Sequence, residues 1–212
     1  MQLTVNEIFT SLQGETTASG RPCTFVRLTG CDLRCTWCDT EHAFHEGRKR
    51  DLADVLADVR SRGVRFVTVT GGEPLLQPGC PALVAALVDA GYDVQVETGG
   101  HRDVAVLDRR ARIIMDVKPP ASGEAGTTRW ENLMRLSARD EVKFVIASRG
   151  DYEWCRDVLA ERFRDFAGPI LFQPATGVLP PQHLAEWILE DRLPVRLTIQ
   201  LHQVLWPGQR GV

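Results

Sequence analysis

Arg65-Phe66-Val67-Thr68-Val69-Thr70 is a short run rich in β-branched residues that ends on Gly71-Gly72-Glu73-Pro74-Leu75-Leu76, and the apolar residues that follow, Leu83, Val84, Leu87 and Val88, fall at helical spacing. A strand, a glycine-bearing loop and one buried helix face in that order predict a βα unit. The pattern recurs on both sides. Phe25-Val-Arg-Leu28, Asp93-Val-Gln-Val-Glu97, Arg112-Ile-Ile-Met-Asp-Val117, Val142-Lys-Phe-Val-Ile146, Pro169-Ile-Leu-Phe-Gln173 and Val195-Arg-Leu-Thr-Ile-Gln-Leu201 are further candidate strands. Leu52/Val55/Leu56/Val59 and Leu184/Trp187/Ile188 are further candidate helix faces. Such alternation predicts an α/β fold with right-handed crossovers and a mainly parallel sheet.

In sheets of this kind ligands collect at the carboxyl ends of the strands. Five segments are expected to meet there: the loop Cys31 to Cys38 after the first core strand, Thr70 to Leu76, Glu97-Thr-Gly-Gly100, Asp116-Val-Lys-Pro-Pro120, and Phe172-Gln-Pro-Ala175. No Pro/Gly/Ser-rich or charge-dense stretch divides the 212 residues, so one domain spanning 1–212 is expected. Residues 119–130 read as a long mobile loop within it.

Composition narrows the function. A hydrophobic content of 43% supports a buried core, and a net charge of −3 argues against a broad basic surface for nucleic acid. A small-molecule partner is favoured. The opening Met1-Gln-Leu-Thr-Val-Asn-Glu-Ile-Phe9 lacks the features of a secretory signal, and the run Ala82 to Val88 is too short to span a bilayer. The expectation is a soluble, cytoplasmic protein without membrane association.

Three of the six cysteines lie in Cys31-Asp-Leu-Arg-Cys35-Thr-Trp-Cys38, which suits metal ligation in a reducing compartment better than disulfides. Three thiolates on one loop can hold three corners of an iron–sulfur cube and leave the fourth iron open for chemistry. The competing reading is a structural zinc site closed by His42, His45 or Cys23. Cys23, Cys80 and Cys155 otherwise read as structural thiols. In Gly71-Gly72-Glu73-Pro74 the glycines allow backbone to approach a ligand and Glu73 offers a carboxylate to an ammonium group; a plain glycine turn is the alternative.

The Cys-x3-Cys-x2-Cys loop with an aromatic before its third cysteine, followed by Gly-Gly-Glu-Pro, resembles the radical S-adenosylmethionine superfamily. A narrower set, Ser11-Leu-Gln-Gly-Glu15, Arg27-Leu-Thr-Gly30, Cys38-Asp-Thr40, Glu97-Thr98, Asp116-Val-Lys118, Asp140 to Ile146 and Arg210-Gly-Val212, resembles the 7-carboxy-7-deazaguanine synthase family. The resemblance implies an open, partial β/α barrel, a modified radical S-adenosylmethionine core. It implies a [4Fe–4S] cluster on Cys31, Cys35 and Cys38, whose open iron binds S-adenosylmethionine, and conversion of 6-carboxy-5,6,7,8-tetrahydropterin to 7-carboxy-7-deazaguanine with loss of ammonia. Carried over by position, Thr40 would bind magnesium, although by itself it reads as a helix N-cap or a loop residue. Leu12, Gln13, Gly14, Arg27, Thr98 and Val212 would bind the pterin. Gln13 and Thr98 can donate and accept along its mixed edge, and Arg27 brings a planar fork for its carboxylate, where a strand arginine otherwise reads as an ion-pair partner. Trp37, Cys38, Asp39, Gly72, Glu73, Gly100, Asp116, Val117, Lys118, Gln173, Pro174, Ala175 and Thr176 would contact S-adenosylmethionine.

The resemblance further implies an electron donor such as flavodoxin or ferredoxin, a homodimer, and a C-terminal cover over residues 202–212. Thr16 and Gly99 depart from the family pattern, which has Gln-Gly-Glu-Gly and Glu-Thr-Asn-Gly at these places, and Asp116-Val-Lys-Pro-Pro120 differs modestly from its common Lys-Thr-Pro version. Two other functions share parts of the signature. One is a radical activase acting on a glycine of a partner protein, and the other is a zinc-stabilised binding module.

Overall fold

The computed structural model describes residues 1–212. Its elements run β1 (Gln2–Leu12), β2 (Pro22–Leu28), β3 (Arg48–Asp51), α1 (Leu52–Ser61), β4 (Phe66–Gly71), α2 (Cys80–Asp89), β5 (Asp93–Thr98), β6 (Arg112–Val117), β7 (Glu141–Ile146), α3 (Arg149–Arg162), β8 (Ile170–Pro174), α4 (Pro181–Asp191), β9 (Arg196–Leu197) and α5 (Leu201–Leu205). They form one nine-stranded sheet in the order β3-β1-β2-β4-β5-β6-β7-β8-β9. From β2 to β9 all neighbours are parallel, while β1 is antiparallel to both β2 and β3. The two edges do not meet, so the architecture is the expected α/β fold, an open β/α barrel with helices on its outer face.

Side-chain alternation along the central strands separates two environments. Val67 and Val69, Val94 and Val96, Met115 and Val117, and Val142, Phe144 and Ile146 join Val55, Leu83, Leu87, Tyr152 and Leu184 of the helices in one apolar core. The alternate residues Thr70, Glu97, Ile114, Asp116, Lys143 and Gln173 face a cavity on the other side. The same period thus builds the core and the lumen.

The elements not anticipated in the sequence each lack the ordinary signal. In β1 the pairing register shifts between Val5 and Glu7, which breaks the alternation begun by Leu3 and Val5. The β3 edge strand is Arg48-Lys-Arg-Asp51, all charged, as edge strands often are. Helix α3 is mostly polar, and its start is marked by Ser148, whose hydroxyl accepts from Asp151 N at 3.1 Å. Conversely, the strand expected over Val195–Leu201 shrinks to Arg196–Leu197, because Leu201 begins α5.

Residues 119–130 also differ from expectation. They form the short 3-10 turns Pro120–Ser122 and Ala125–Thr127, with Ser122 fully buried and Asp151 accepting from Ala121 N at 2.9 Å. No helix is long and apolar enough to cross a membrane. Leu87 lies at 0% exposure where α2 meets the sheet. Leu87→Ala is expected to cost about 2–5 kcal/mol, read as a lower urea midpoint with an unchanged slope.

Candidate active site

The carboxyl ends of β2, β4, β5, β6, β7 and β8 surround a cavity of about 460 Å³. Cys31, Cys35 and Cys38 are partly exposed, and all three line it. Cys23, Cys80 and Cys155 are buried, and burial pushes the first two thiols up to about 12, which keeps them protonated and inert. The cysteine loop is seated on the Gly-Gly-Glu-Pro loop: Glu73 N donates to Gly30 O at 2.8 Å and Gly72 N to Leu28 O at 3.2 Å. This approach requires glycine, because a Cβ on Gly72 would lie 2.5 Å from Gly30 O and 2.6 Å from Cys31 Cβ.

Charge within the lumen centres on Lys143. Its ammonium lies 2.5 Å from Glu15 Oε2 and 3.5 Å from Asp116 Oδ2, and Asp116 also meets Lys118 at 3.2 Å. Burial works to lower the Lys143 ammonium, but Glu15 and Asp116 together raise it well above its ordinary value. Burial likewise acts to raise Glu15, yet the neighbouring Lys143 charge and hydrogen bonds from Lys143 and Gln200 hold it at about 2. Glu97 is shifted upward, first by burial and then by the charge of Glu15.

The C-terminal segment closes over this space. Gln200, 8% exposed, donates from Nε2 to Glu15 Oε1 at 2.9 Å and to Asp39 Oδ2 at 2.7 Å, while its Oε1 accepts from Thr176 Oγ1 at 2.5 Å. Leu201 N donates to Gly14 O at 2.8 Å, and further along Arg210 pairs with Glu46 at 2.8 Å. His202, Arg210 and Val212 complete the cavity wall.

Comparison with known proteins fits this geometry. A model of the radical SAM superfamily matches residues 25–121. The chain is 43% identical to 7-carboxy-7-deazaguanine synthase of Koribacter versatilis, with 100% of both chains covered, and 42% identical to that of Chlorobaculum tepidum, with 99% of this chain and 97% of the relative covered. This chain belongs to the 7-carboxy-7-deazaguanine synthase family. QueE from Escherichia coli superposes with a TM-score of 0.79 at 26% identity over 95% of each chain. Streptococcus suis SuiB shares the fold alone, with a TM-score of 0.53 at 13% identity over 80% of this chain and 44% of its own.

The side chains fit the groups that membership in the 7-carboxy-7-deazaguanine synthase family implies. No three His, Cys, Asp or Glu side chains converge to hold a single metal ion. The three loop thiols nonetheless share one cavity wall, and the radical SAM match displaces the zinc-module reading. For S-adenosylmethionine, Asp116 Oδ1 and Gln173 Oε1 are buried without hydrogen-bond partners. Both residues line the cavity, where a ligand's donors could satisfy those atoms. For magnesium, Thr40 precedes the 3-10 turn Glu41–Phe44 but makes no side-chain cap bond; its hydroxyl lies 3.9 Å from Cys38 Sγ. Arg27 lines the cavity and donates from Nε to Glu7 at 2.8 Å, the ion pair expected of a strand arginine, while its Nη atoms make no hydrogen bond within the chain.

Most residues expected at the site line the cavity, including Leu12, Gln13, Gly14, Trp37, Asp39, Gly72, Lys118, Ala175 and Thr176. Gly100, Val117 and Pro174 do not. Val117 points to the helix side by strand alternation, and Gly100, at φ +72°, is packed under Met115. Several expected ligands have their side chains engaged within the chain. Glu73 accepts from Leu75 N, Gly99 N and the Thr98 hydroxyl at 2.8–3.0 Å, so it ties two loops together instead of presenting a free carboxylate to an ammonium group. Gln13 donates to Thr68 Oγ1 and Glu97 Oε1 at 3.1 Å and accepts from Glu15 N at 3.0 Å.

Sequence reading assigned no role to Lys143, Glu15, Glu97 or Gln200. A lysine within Val142-Lys-Phe-Val-Ile146, and a glutamate ending a strand otherwise apolar at alternate positions, were available signals. Gln200 offered none, since its role depends on where the chain turns after β9.

Lys143→Met leaves a buried carboxylate unpaired and is expected to cost about 3–5 kcal/mol, most of it recovered in the Glu15→Gln/Lys143→Met double variant, as measured by urea melts. Because Glu15 is held below its ordinary 4.5, at about 2, the stabilisation from this pair is present above pH 4.5 and declines as pH falls toward 2. Gly72→Ala is expected to cost about 1–3 kcal/mol and to lower bound iron sharply while far-ultraviolet circular dichroism is retained.

Proposed function

We propose that this chain converts 6-carboxy-5,6,7,8-tetrahydropterin to 7-carboxy-7-deazaguanine with loss of ammonia, a step toward queuosine and other 7-deazapurines. The observation that carries the reading is the meeting, in one cavity, of three partly exposed thiols, the uncapped Thr40 hydroxyl and an arginine engaged only through Nε. Cys31, Cys35 and Cys38 would hold a [4Fe–4S] cluster, which with S-adenosylmethionine would supply the radical that takes hydrogen from C6 of the pterin. Thr40 would contribute one ligand to magnesium beside the substrate carboxylate, leaving the other positions to substrate and water oxygens.

The protein's own residues orient and enclose. Arg27 grips the carboxylate through its free fork, and its bond to Glu7 fixes the guanidinium plane. Phe25 and Ile114 supply apolar wall for the ring, while Asp116 and Gln173 offer acceptors to S-adenosylmethionine. Gln200 ties the chain just ahead of the cover residues 202–212 to Glu15 and Asp39, a placement from which the cover would limit water at the reacting centre. A glycine on a folded partner protein would have to pass the C-terminal residues that line the cavity, which favours the pterin over the activase reading.

The working protein is taken to be a cytoplasmic homodimer of one-domain subunits over residues 1–212, with the cluster loop at 31–40. It would be reduced by a flavodoxin or ferredoxin. The test is anaerobic reconstitution with iron and sulfide, followed by reductant, S-adenosylmethionine, magnesium and the carboxytetrahydropterin. Deazapurine and ammonia are expected in equal amounts, and a fully loaded cluster that yields neither would sink the assignment. Arg27→Ala is expected to raise KM about 10- to 100-fold with cluster content unchanged. Equal loss of cluster and substrate use would count against its carboxylate role.

A further inference from the structure

A pterin held by its carboxylate at Arg27 and Thr40 presents its 2-amino-4-oxo pyrimidine edge at the opposite end, and the side chains expected to read that edge are engaged elsewhere. The Thr98 hydroxyl donates to Glu73, and the Gln13 amide is held by Thr68, Glu97 and Glu15 N. Strand register identifies what remains. Arg27 pairs with Thr70 across β2 and β4, Val69 pairs with Val96 across β4 and β5, and Thr70 Oγ1 donates to Glu97 Oε2 at 3.1 Å. Arg27, Thr70 and Glu97 therefore lie in one row across three strands. Two strand spacings are about 10 Å, a distance that a bicyclic ring with its carboxylate can span.

Glu97 also differs electrostatically from the other acids around the cavity. Glu7 pairs with Arg27, Glu15 with Lys143, and Asp116 with Lys118 and Lys143. Both oxygens of Glu73 are bound within the chain, and Asp39 accepts from Gln200 on the exposed loop. Glu97 lies in no ion pair and is held only by neutral donors: Gln13 at 3.1 Å, Thr70 at 3.1 Å, and Gln95 at 3.4 Å, the last too long to be strong. A carboxylate has about four lone-pair sites, so one remains on Oε2, and the weak Gln95 contact on Oε1 can yield to a better donor. Gln95, one pleat deeper, is fully buried and does not line the cavity, so Glu97 stands at its floor.

We propose that Glu97 is the specificity-determining residue for the pyrimidine edge, accepting hydrogen bonds from N3–H and the 2-amino group of the pterin, one on each carboxylate oxygen. This rests on the pterin reading of the site. The consequence is selection for a 2-amino over a 2-oxo ring. In the lumazine counterpart, a carbonyl oxygen replaces the amino group and faces the carboxylate with its lone pairs, leaving a buried acceptor unpaired.

The test is equilibrium binding of 6-carboxytetrahydropterin and of 6-carboxytetrahydrolumazine to the cluster-loaded protein with S-adenosylmethionine and magnesium under anaerobic, non-reducing conditions, followed by turnover of the pterin. Wild type is expected to prefer the pterin by about 100-fold or more. Glu97→Gln, whose amide offers both a donor and an acceptor, is expected to weaken pterin binding about 10- to 100-fold and to bring the preference down to a few-fold. Loss in the variant should fall on KM more than on kcat. Glu97→Asp, which keeps the charge, should retain most of the preference; if the Gln variant fails to fold, a preference surviving in Asp and lost in Ala carries the same decision. Equal binding of both compounds by wild type overturns the role of Glu97 while leaving the pterin reading intact. Binding of neither compound overturns that reading and this role with it. A preference undiminished in Glu97→Gln also overturns the proposal.

Discussion

Every central strand of this sheet meets two environments, and backbone alternation is what keeps them apart. Side chains such as Val96, Met115 and Phe144 enter a dry helix layer, while Glu97, Asp116 and Lys143, one residue away along the same strands, enter a polar lumen. A shift of one residue in any register would bury a charge among the helices and expose a core residue to the ligand space. The parallel ladder from β2 to β9 therefore fixes the chemistry as firmly as it fixes the fold.

Placing charges inside a barrel is costly unless they are matched, and around Lys143 the lumen accomplishes this by clustering. Lys143 serves Glu15 and Asp116 together, and Glu15 in turn accepts from Gln200, which also binds Asp39 and Thr176. One set of contacts thus joins β7, β6, the loop after β1, the cysteine loop, the end of β8 and the C-terminal cover. The C-terminal segment that lines the cavity is tied through Gln200 to the same ion pair that neutralises the lumen.

Much of this organisation was legible in the sequence because it depends on periodicity and spacing. The parallel strands β2 and β4 to β8, the helices α1, α2 and α4, and the meeting of loops at one sheet end follow from β-branched runs and i, i+3, i+4 patterns. The cysteine loop follows from its spacing. What was not legible is conformational or relational. The bulge in β1 hides its alternation, β3 is all charge, and the end of β9 decides where Gln200 falls. A motif could mark Gln13, Glu73 and Thr98 as polar residues near the site, but not that their polar groups bond to neighbours within the chain. Hydrogen-bond capacity is consumed by neighbours, and neighbours are set by the fold.

The departures from the family pattern at Thr16 and Gly99 are each absorbed by residues close by. Thr16 has φ +20°, a conformation unfavourable for a β-branched residue, where the pattern carries glycine. Its hydroxyl accepts from Ala18 N at 3.1 Å, and the adjacent Thr17 is bound through both N and Oγ1 to Glu141 on β7, so local hydrogen bonds offset the strain. At Gly99 a Cβ would sit 3.1 Å from His101 Nδ1 and 3.2 Å from Leu33 Cδ1. Its absence lets the His101 ring lie against the Glu73 loop and join Asp32 of the cysteine loop at 2.8 Å, with Arg102 meeting the other Asp32 oxygen at 2.6 Å. An asparagine side chain at 99 would compete for the space that His101 occupies. Glycine at 99 thus leaves room for a brace between the β5 loop and the loop that carries Cys31, Cys35 and Cys38.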